Sequence, residues 1–290
     1  MVGIIAGSPS DFEPDGKADY SNSNFVLLTF ILEKTFKKTY AELVRQKITA
    51  PLGLKSTYYG GKINPSANEA FSYQYKAKWE KEPETDMSIP AGAGAIVSNV
   101  SDLSGFIEAL FDGKLISAAS LEQMKSIRDG YGMGMFEIKI ADKTGYGHNG
   151  GIDEFTSMLA YFPADKTMLA LTSNGKMFSM NKIAKAAIDW QSGKPVEIPE
   201  FKSYTYKNTT EALDALVGVY GSPDMPLKIT ITRDGTTLVA QGDGQSAFPL
   251  DAEARNIFRF DTAGIVLEFN PSESKMILKQ GGRVFNFTKE

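Results

Sequence analysis

Hydrophobic and polar positions change period twice along the chain. From Asn22 to Ile48 apolar residues recur at Phe25, Leu28, Ile31, Leu32 and Phe36, the spacing of a helix face, which predicts one long helix. Ser23 or Asn24 supplies a cap at its start, and Pro51-Leu-Gly-Leu stops it. Residues 60–90 are polar and aromatic without a strong period and read as an excursion of little regular structure. Ser101-Asp-Leu opens a second helix through Leu110, closed by Asp112-Gly113, and Ser117 or Ser120 opens a third through Ile127. From Met133 the pattern alternates. Strands are predicted over Met135–Ile140, Phe155–Phe162 and Met168–Thr172, followed by a helix over 178–191 that covers one face of their sheet.

Residues 191–200 contain two prolines among polar residues and read as a linker. Beyond it the pattern is almost wholly β. Leu227, Ile229 and Ile231 alternate with polar residues, and Ile257–Phe260, Ile265–Phe269, Met276–Leu278 and Val284–Phe287 follow in turn. Asp234-Gly235, Asp243-Gly244 and Gly281-Gly282 mark turns between them. The expected organisation is α+β: an antiparallel sheet with flanking helices and a helical subdomain over 1–190, a linker over 191–200, and a small antiparallel β-barrel over 201–290.

Composition narrows the chemistry. At 290 residues, with 42% hydrophobic and 23% charged residues, the chain is of globular type and long enough for two cores. Lys and Arg total 31 against 35 Asp and Glu, with no basic stretch, so nothing points to a nucleic-acid partner. Zero cysteines exclude disulfides, thiolate metal sites and a cysteine nucleophile, and a single histidine excludes a multi-histidine metal centre. No metal or cofactor is expected. The longest apolar stretch, Phe25–Leu32, is far short of the roughly 20 residues that span a bilayer, and the first residues lack the basic and apolar regions of a secretory signal. Oxygen nucleophiles, carboxylates, tyrosines and His148 remain.

Three patterns then line up in order. Tyr20-Ser-Asn22 precedes the long helix, Pro90-Ala-Gly-Ala-Gly-Ala leads toward the second, and Gly147-His-Asn-Gly-Gly151 runs toward a strand closed by Tyr161-Phe-Pro163. Together they resemble the serine β-lactamase-related family, which includes class C-type β-lactamases, D-Ala-D-Ala peptidases, D-aminopeptidases and related esterases. The resemblance covers roughly residues 10–190, and the tail is similar to the lipocalin-like barrel that often follows this domain. It implies a cleft lined by Ser-x-x-Lys, Tyr-x-Asn and Lys-Thr-Gly or His-x-Gly. Tyr20 would then be the general base and acid, and Asn22 would hold the substrate amide. His148 would orient Tyr20 or meet a substrate carboxylate, while Asn149, Gly150 and Gly151 would bind substrate, the N–H of Gly151 forming half of an oxyanion hole. The literal Lys143-Thr-Gly145 is assigned to a turn, because His148, fifteen residues ahead of Pro163, fits the family's spacing better than Lys143, twenty ahead. Outside that ordered set, Tyr20 reads as a packing residue and His148 as a turn histidine.

The nucleophile does not fall in place. Nineteen residues precede Tyr20, too few for the family's Ser-x-x-Lys segment, so an N-terminally truncated domain is expected. The two literal matches come after His148: Ser179-Met-Asn-Lys182 reads as a helix cap and Ser272-Glu-Ser-Lys275 as a hairpin turn. Trp79, Tyr73 and Tyr75 either rim the cleft or form a local aromatic cluster. The resemblance implies a substrate with a D-amino acid, β-lactam or ester acyl group. Full members of the family are typically exported. The competing expectations are a non-catalytic module binding muropeptide-like or acyl ligands, and a homodimer or complementing chain that covers the apolar faces left without partners.

Overall fold

The computed structural model describes residues 2–76, 78–175, 178–196, 204, 206–223, 225, 227–245, 247–280 and 282–290. The chain divides into two compact units, one of Met1–Gln74, Glu80–Gly175 and Ile183–Val196, the other of Tyr75–Trp79, Lys176–Lys182 and Glu197–Glu290. Residues 197–200 of the expected linker, and 201–203 and 205 beyond it, lie outside the described residues.

In the first unit, helix α1 (Val2–Ala6) is followed by α2 (Asn22–Phe36), whose cap is Ser21 rather than Ser23 or Asn24. The expected long helix ends early. Lys37 takes a left-handed conformation (φ 51°), and Thr39 with Glu42 forms a reciprocal capping box that opens α3 (Tyr40–Val44). A π-helical turn, Arg45–Thr49, and α4 (Ala50–Leu52) complete the run. The excursion holds short strands: β1 (Tyr58–Tyr59) pairs with β4 (Ile96–Val97), and β2 (Tyr73–Lys76) pairs with β3 (Lys78–Lys81). Helix α5 (Val100–Phe111) is capped by Asn99, and α6 (Ala118–Lys125) by Ser117.

The sheet runs in the order β5 (Phe136–Ile140), β6 (Lys143–Ile152), β7 (Phe155–Phe162) and β8 (Thr167–Ser173), antiparallel throughout. Alternation along β7 separates two layers. Met158, Ala160 and Phe162 pack with Ala184 and Ile188 of α7 (Met180–Gln191), while Tyr161 stacks on Phe111 of α5 with ring centroids 4.2 Å apart. Strand β6 corrects one expectation: Lys143-Thr-Gly145 is not a turn but the first third of this strand, paired with Ile140, Lys139 and Ile138.

The second unit contains α8 (Thr210–Asp214) and a closed antiparallel barrel. Its strands are β9 (Gly218–Gly221), β10 (Ile229–Asp234), β11 (Thr237–Gly242), β12 (Phe248–Ala254), β13 (Ile257–Phe260), β14 (Ile265–Asn270), β15 (Lys275–Gln280) and β16 (Arg283–Lys289). Pairing of β16 with β9 closes it, at Thr288 to Gly221 and Lys289 to Tyr220. Inward residues fill the interior, among them Ile231, Leu238, Phe258, Leu267, Met276 and Phe287, so this barrel has a packed core rather than a ligand chamber.

Candidate active site

Two segments far apart in sequence build one cavity of about 780 Å³ in the first unit. The first is the entry to α2. Ser21 is extended (φ −140°, ψ 124°) and its hydroxyl accepts the Ser23 N–H at 3.3 Å, which fixes where the helix begins. Tyr20 and Asn22 therefore flank the cap, and the Tyr20 hydroxyl donates to Asn22 Oδ1 at 3.2 Å. With that oxygen engaged, the Asn22 side chain keeps its two N–H donors for another partner.

The second segment is the far half of β6. Strand β5 follows it only as far as Gly147, opposite Phe136, whereas β7 pairs on through Ile152. Among the described residues no strand covers the other edge of His148–Ile152, so its backbone groups there are available to an extended ligand. The cavity is lined by His148, Asn149, Gly150 and Gly151 from this stretch. His148 packs on Phe136 (centroids 4.2 Å apart), and its Nδ1 lies 2.5 Å from the Asn149 carbonyl oxygen. A carbonyl only accepts, so Nδ1 carries the hydrogen, and in the neutral ring Nε2 is left as the acceptor. The Tyr20 ring sits among Phe25, Phe136 and His148 at centroid distances of 5.8, 5.8 and 5.9 Å.

Two further walls were not foreseen from the sequence. Gly92 and Ala93, on the turn Ala91–Ala93, line the cavity, with Gly92 N–H donating to Thr29 Oγ1 of α2 at 3.0 Å. A Cβ on Gly92 would lie 2.3 Å from that oxygen, so only glycine lets the turn approach the helix. The other wall is a tight hairpin at Arg128–Tyr131. Arg128 and Tyr131 exchange both backbone hydrogen bonds (2.9 and 3.0 Å) across Asp129 (φ 51°) and Gly130 (φ 87°), the paired left-handed conformation that Asp-Gly favours. The Arg-Asp-Gly-Tyr sequence carried that signal. Tyr131 stacks on Tyr20, 6.2 Å between centroids and 14° from parallel.

The structure thus brings Tyr20, Asn22, His148, Asn149, Gly150 and Gly151 to one cavity, and leaves other expected residues elsewhere. Lys143, at the opposite end of β6, is hydrogen-bonded to Asp165 and holds that carboxyl below its ordinary range. Trp79, Tyr73 and Tyr75 are not among the lining residues; Tyr75 and Trp79 meet edge to face at 5.4 Å, the local cluster. Ser179 directly precedes α7, and Lys182 lies 5.5 Å from the Phe178 ring. Ser272 bonds Asn270 Oδ1 at 2.7 Å in the β14–β15 turn, with Lys275 on Glu273. Among the described residues the cavity lining includes no serine, lysine or arginine. Among them, too, no acidic or histidine cluster could hold a metal ion, and no helix is long and apolar enough to cross a membrane.

Comparison with known proteins agrees with this architecture. A penicillin-binding protein of Bacillus subtilis (strain 168) is 27% identical over 287 residues, covering 90% of this chain and 63% of that protein. The chain spans between two fifths and two thirds of the length of the curated relatives it matches. A D-stereospecific amidohydrolase from Streptomyces sp. superposes with a TM-score of 0.52 at 27% identity, over 60% of this chain and 55% of that one. The octameric penicillin-binding protein homologue from Pyrococcus abyssi gives a TM-score of 0.53 over 96% of this chain and 66% of that one; at 20% identity it shares the fold. The Beta-lactamase family profile matches residues 1–191, and the chain belongs to that family of penicillin-binding-protein-like serine hydrolases.

Proposed function

We propose that this chain provides the substrate-facing half of an acyl-serine hydrolase site, for an amide or ester next to a D-amino acid or a small acyl group. The observation that carries the reading is the convergence of Tyr20, Asn22 and the free edge of β6 on one cavity. The Streptomyces relative, a D-stereospecific amidohydrolase, supports the substrate class. In this reading the Asn22 amide donates to the substrate carbonyl, and Gly151 N–H stabilises half of the charge that develops on the attacked oxygen. The Tyr20 phenol carries the proton between nucleophile and leaving group. His148 Nε2 accepts from the phenol or from a substrate N–H.

The attacking serine comes from polypeptide other than the residues that line the cavity. A phenol becomes a base only where nearby cations favour its phenolate, and the lining has no lysine, so a Ser-x-x-Lys segment would bring both missing groups at once. Exposed apolar residues on α2 (Leu28, Ile31, Leu32 and Phe36) support completion by further polypeptide, a second copy or a complementing chain. Covalent labelling with a fluorophosphonate or a fluorescent penicillin tests this. The chain alone forms no adduct, and it binds D-phenylalaninamide in a manner lost in Tyr20→Ala. An adduct on Ser179, or on any residue of this chain, overturns the external nucleophile; absence of Tyr20-dependent binding overturns the cleft. The same missing serine favours a second reading, a non-catalytic module for muropeptide-like or acyl ligands. Nitrocefin and p-nitrophenyl butyrate that stay intact when a serine-bearing segment is supplied would select that reading.

A further inference from the structure

We propose that Asp129 is the recognition residue for a primary ammonium group, so that the cavity selects acyl compounds carrying a free amine near the carbonyl over those carrying a carboxylate. The inference rests on the cleft reading above and deepens it. Charge on the lining is the starting point. Asp129 is the one carboxylate among the described lining residues, and no lysine or arginine accompanies it. Within that lining a substrate carboxylate would meet no lysine or arginine and one anion, whereas an ammonium would find a partner.

The carboxylate is both available and held. Its Oδ2 accepts the Ala18 N–H at 3.2 Å, and among the described residues Oδ1 has no hydrogen-bond donor. Arg128 pairs with it at long range, Nε 3.9 Å from Oδ2, while its two terminal nitrogens are taken by the Asp15 carboxylate and, at 2.8 Å, by the Asp15 carbonyl. The Asp129 side chain is 52% exposed, open to a ligand. Its backbone is fixed by the paired Arg128 and Tyr131 hydrogen bonds, and the same hairpin stacks Tyr131 on Tyr20. The carboxylate is therefore carried on a hairpin whose stacking ties its backbone position to that of the phenol.

The test compares D-phenylalaninamide, N-acetyl-D-phenylalaninamide and N-acetyl-D-phenylalanine by calorimetry or ligand-observed NMR, at about pH 6, below the α-amino range of about 7.7–8.0. A charge-assisted bond at a half-exposed site is expected to make the free amine bind about tenfold tighter than its acetylated form. Asp129→Asn is the informative variant, since asparagine also tolerates the left-handed turn and offers Ala18 an amide oxygen. Its melting temperature should match that of the parent, and the preference for the amine should fall to within about twofold. A preference that survives Asp129→Asn, or tightest binding by the carboxylate compound, overturns the proposal. Equal binding of all three, lost in Tyr20→Ala, removes the ammonium anchor and leaves the cleft. No Tyr20-dependent binding by any of them removes both.

Discussion

Thr29 offers a sharp test of how the cavity is held open. It lies in the middle of α2 with only 4% of its surface exposed. Its hydroxyl donates to Phe25 O and accepts from Gly92 N–H, both at 3.0 Å. Thr29→Val keeps the shape and removes the acceptor. Phe25 O retains its helical partner, the N–H four residues on, so the loss falls on Gly92, whose N–H then faces a methyl group. An unsatisfied backbone donor costs about 1–3 kcal/mol. About 2 kcal/mol is expected, which should raise hydrogen exchange at the Gly92 amide about 30-fold. Thr29→Ser keeps the hydroxyl and loses one buried methyl, about 0.8 kcal/mol. Urea unfolding followed by far-UV circular dichroism, with exchange measured over residues 91–95, ranks the three proteins. Equal stability of Thr29→Val and the parent, or a Thr29→Ser variant weaker than Thr29→Val, would refute the hydroxyl as the tie between turn and helix. Because Gly92 and Ala93 line the cavity, Thr29→Val should also weaken D-phenylalaninamide binding.

Other outcomes follow from the same geometry. Lys143→Met should leave D-phenylalaninamide affinity intact while His148→Ala weakens it; the reverse result would return the cleft motif to Lys143-Thr-Gly145. Phe258→Ala, at a residue 1% exposed inside the barrel, should destabilise the second unit by about 3–5 kcal/mol in thermal unfolding. Burial pushes the Tyr220 phenol up to about 12, from about 10 in an unfolded chain. Its neutral form is thus favoured by folding: the contribution is complete below pH 10 and is lost as pH climbs from 10 toward 12. Tyr220→Phe should therefore show a smaller loss of stability over that interval in urea titrations; an equal loss would place the alkaline sensitivity elsewhere, Tyr58 and Tyr204 being pushed to about 12 as well.

What the sequence made legible follows from which contacts are local. The entry to α2 was visible because Tyr20-Ser-Asn22 stands directly before an apolar helical run, and a cap acts within a few residues of itself. Its end was not, since the apolar spacing continues past Phe36 while the Thr39–Glu42 capping box restarts the helix; the box was present in the sequence, but the run hid it. Strand β6 escaped notice because four of its ten residues are glycine, which leaves little side-chain alternation to read. Two of those glycines are there for closeness: a Cβ would lie 2.2 Å from Tyr161 O at Gly145 and 1.8 Å from Leu159 O at Gly147. The tail disclosed its later strands through β-branched and aromatic alternation. Closure of the barrel through β16 and β9 joins Thr288 to Gly221 across most of the unit, and no local pattern encodes such a pairing. The same distinction governs the cavity. Tyr20, Asn22 and residues 148–151 could be placed on it from ordered motifs, whereas the Asp-Gly turn at Asp129 and the glycine-rich run at Gly92 were readable as local patterns but did not say that they line the cavity. Specificity, if Asp129 sets it, would then reside in the part of the cavity that motif reading passes over, which is why a charge-neutral substitution there is more informative than another substitution at Tyr20 or His148.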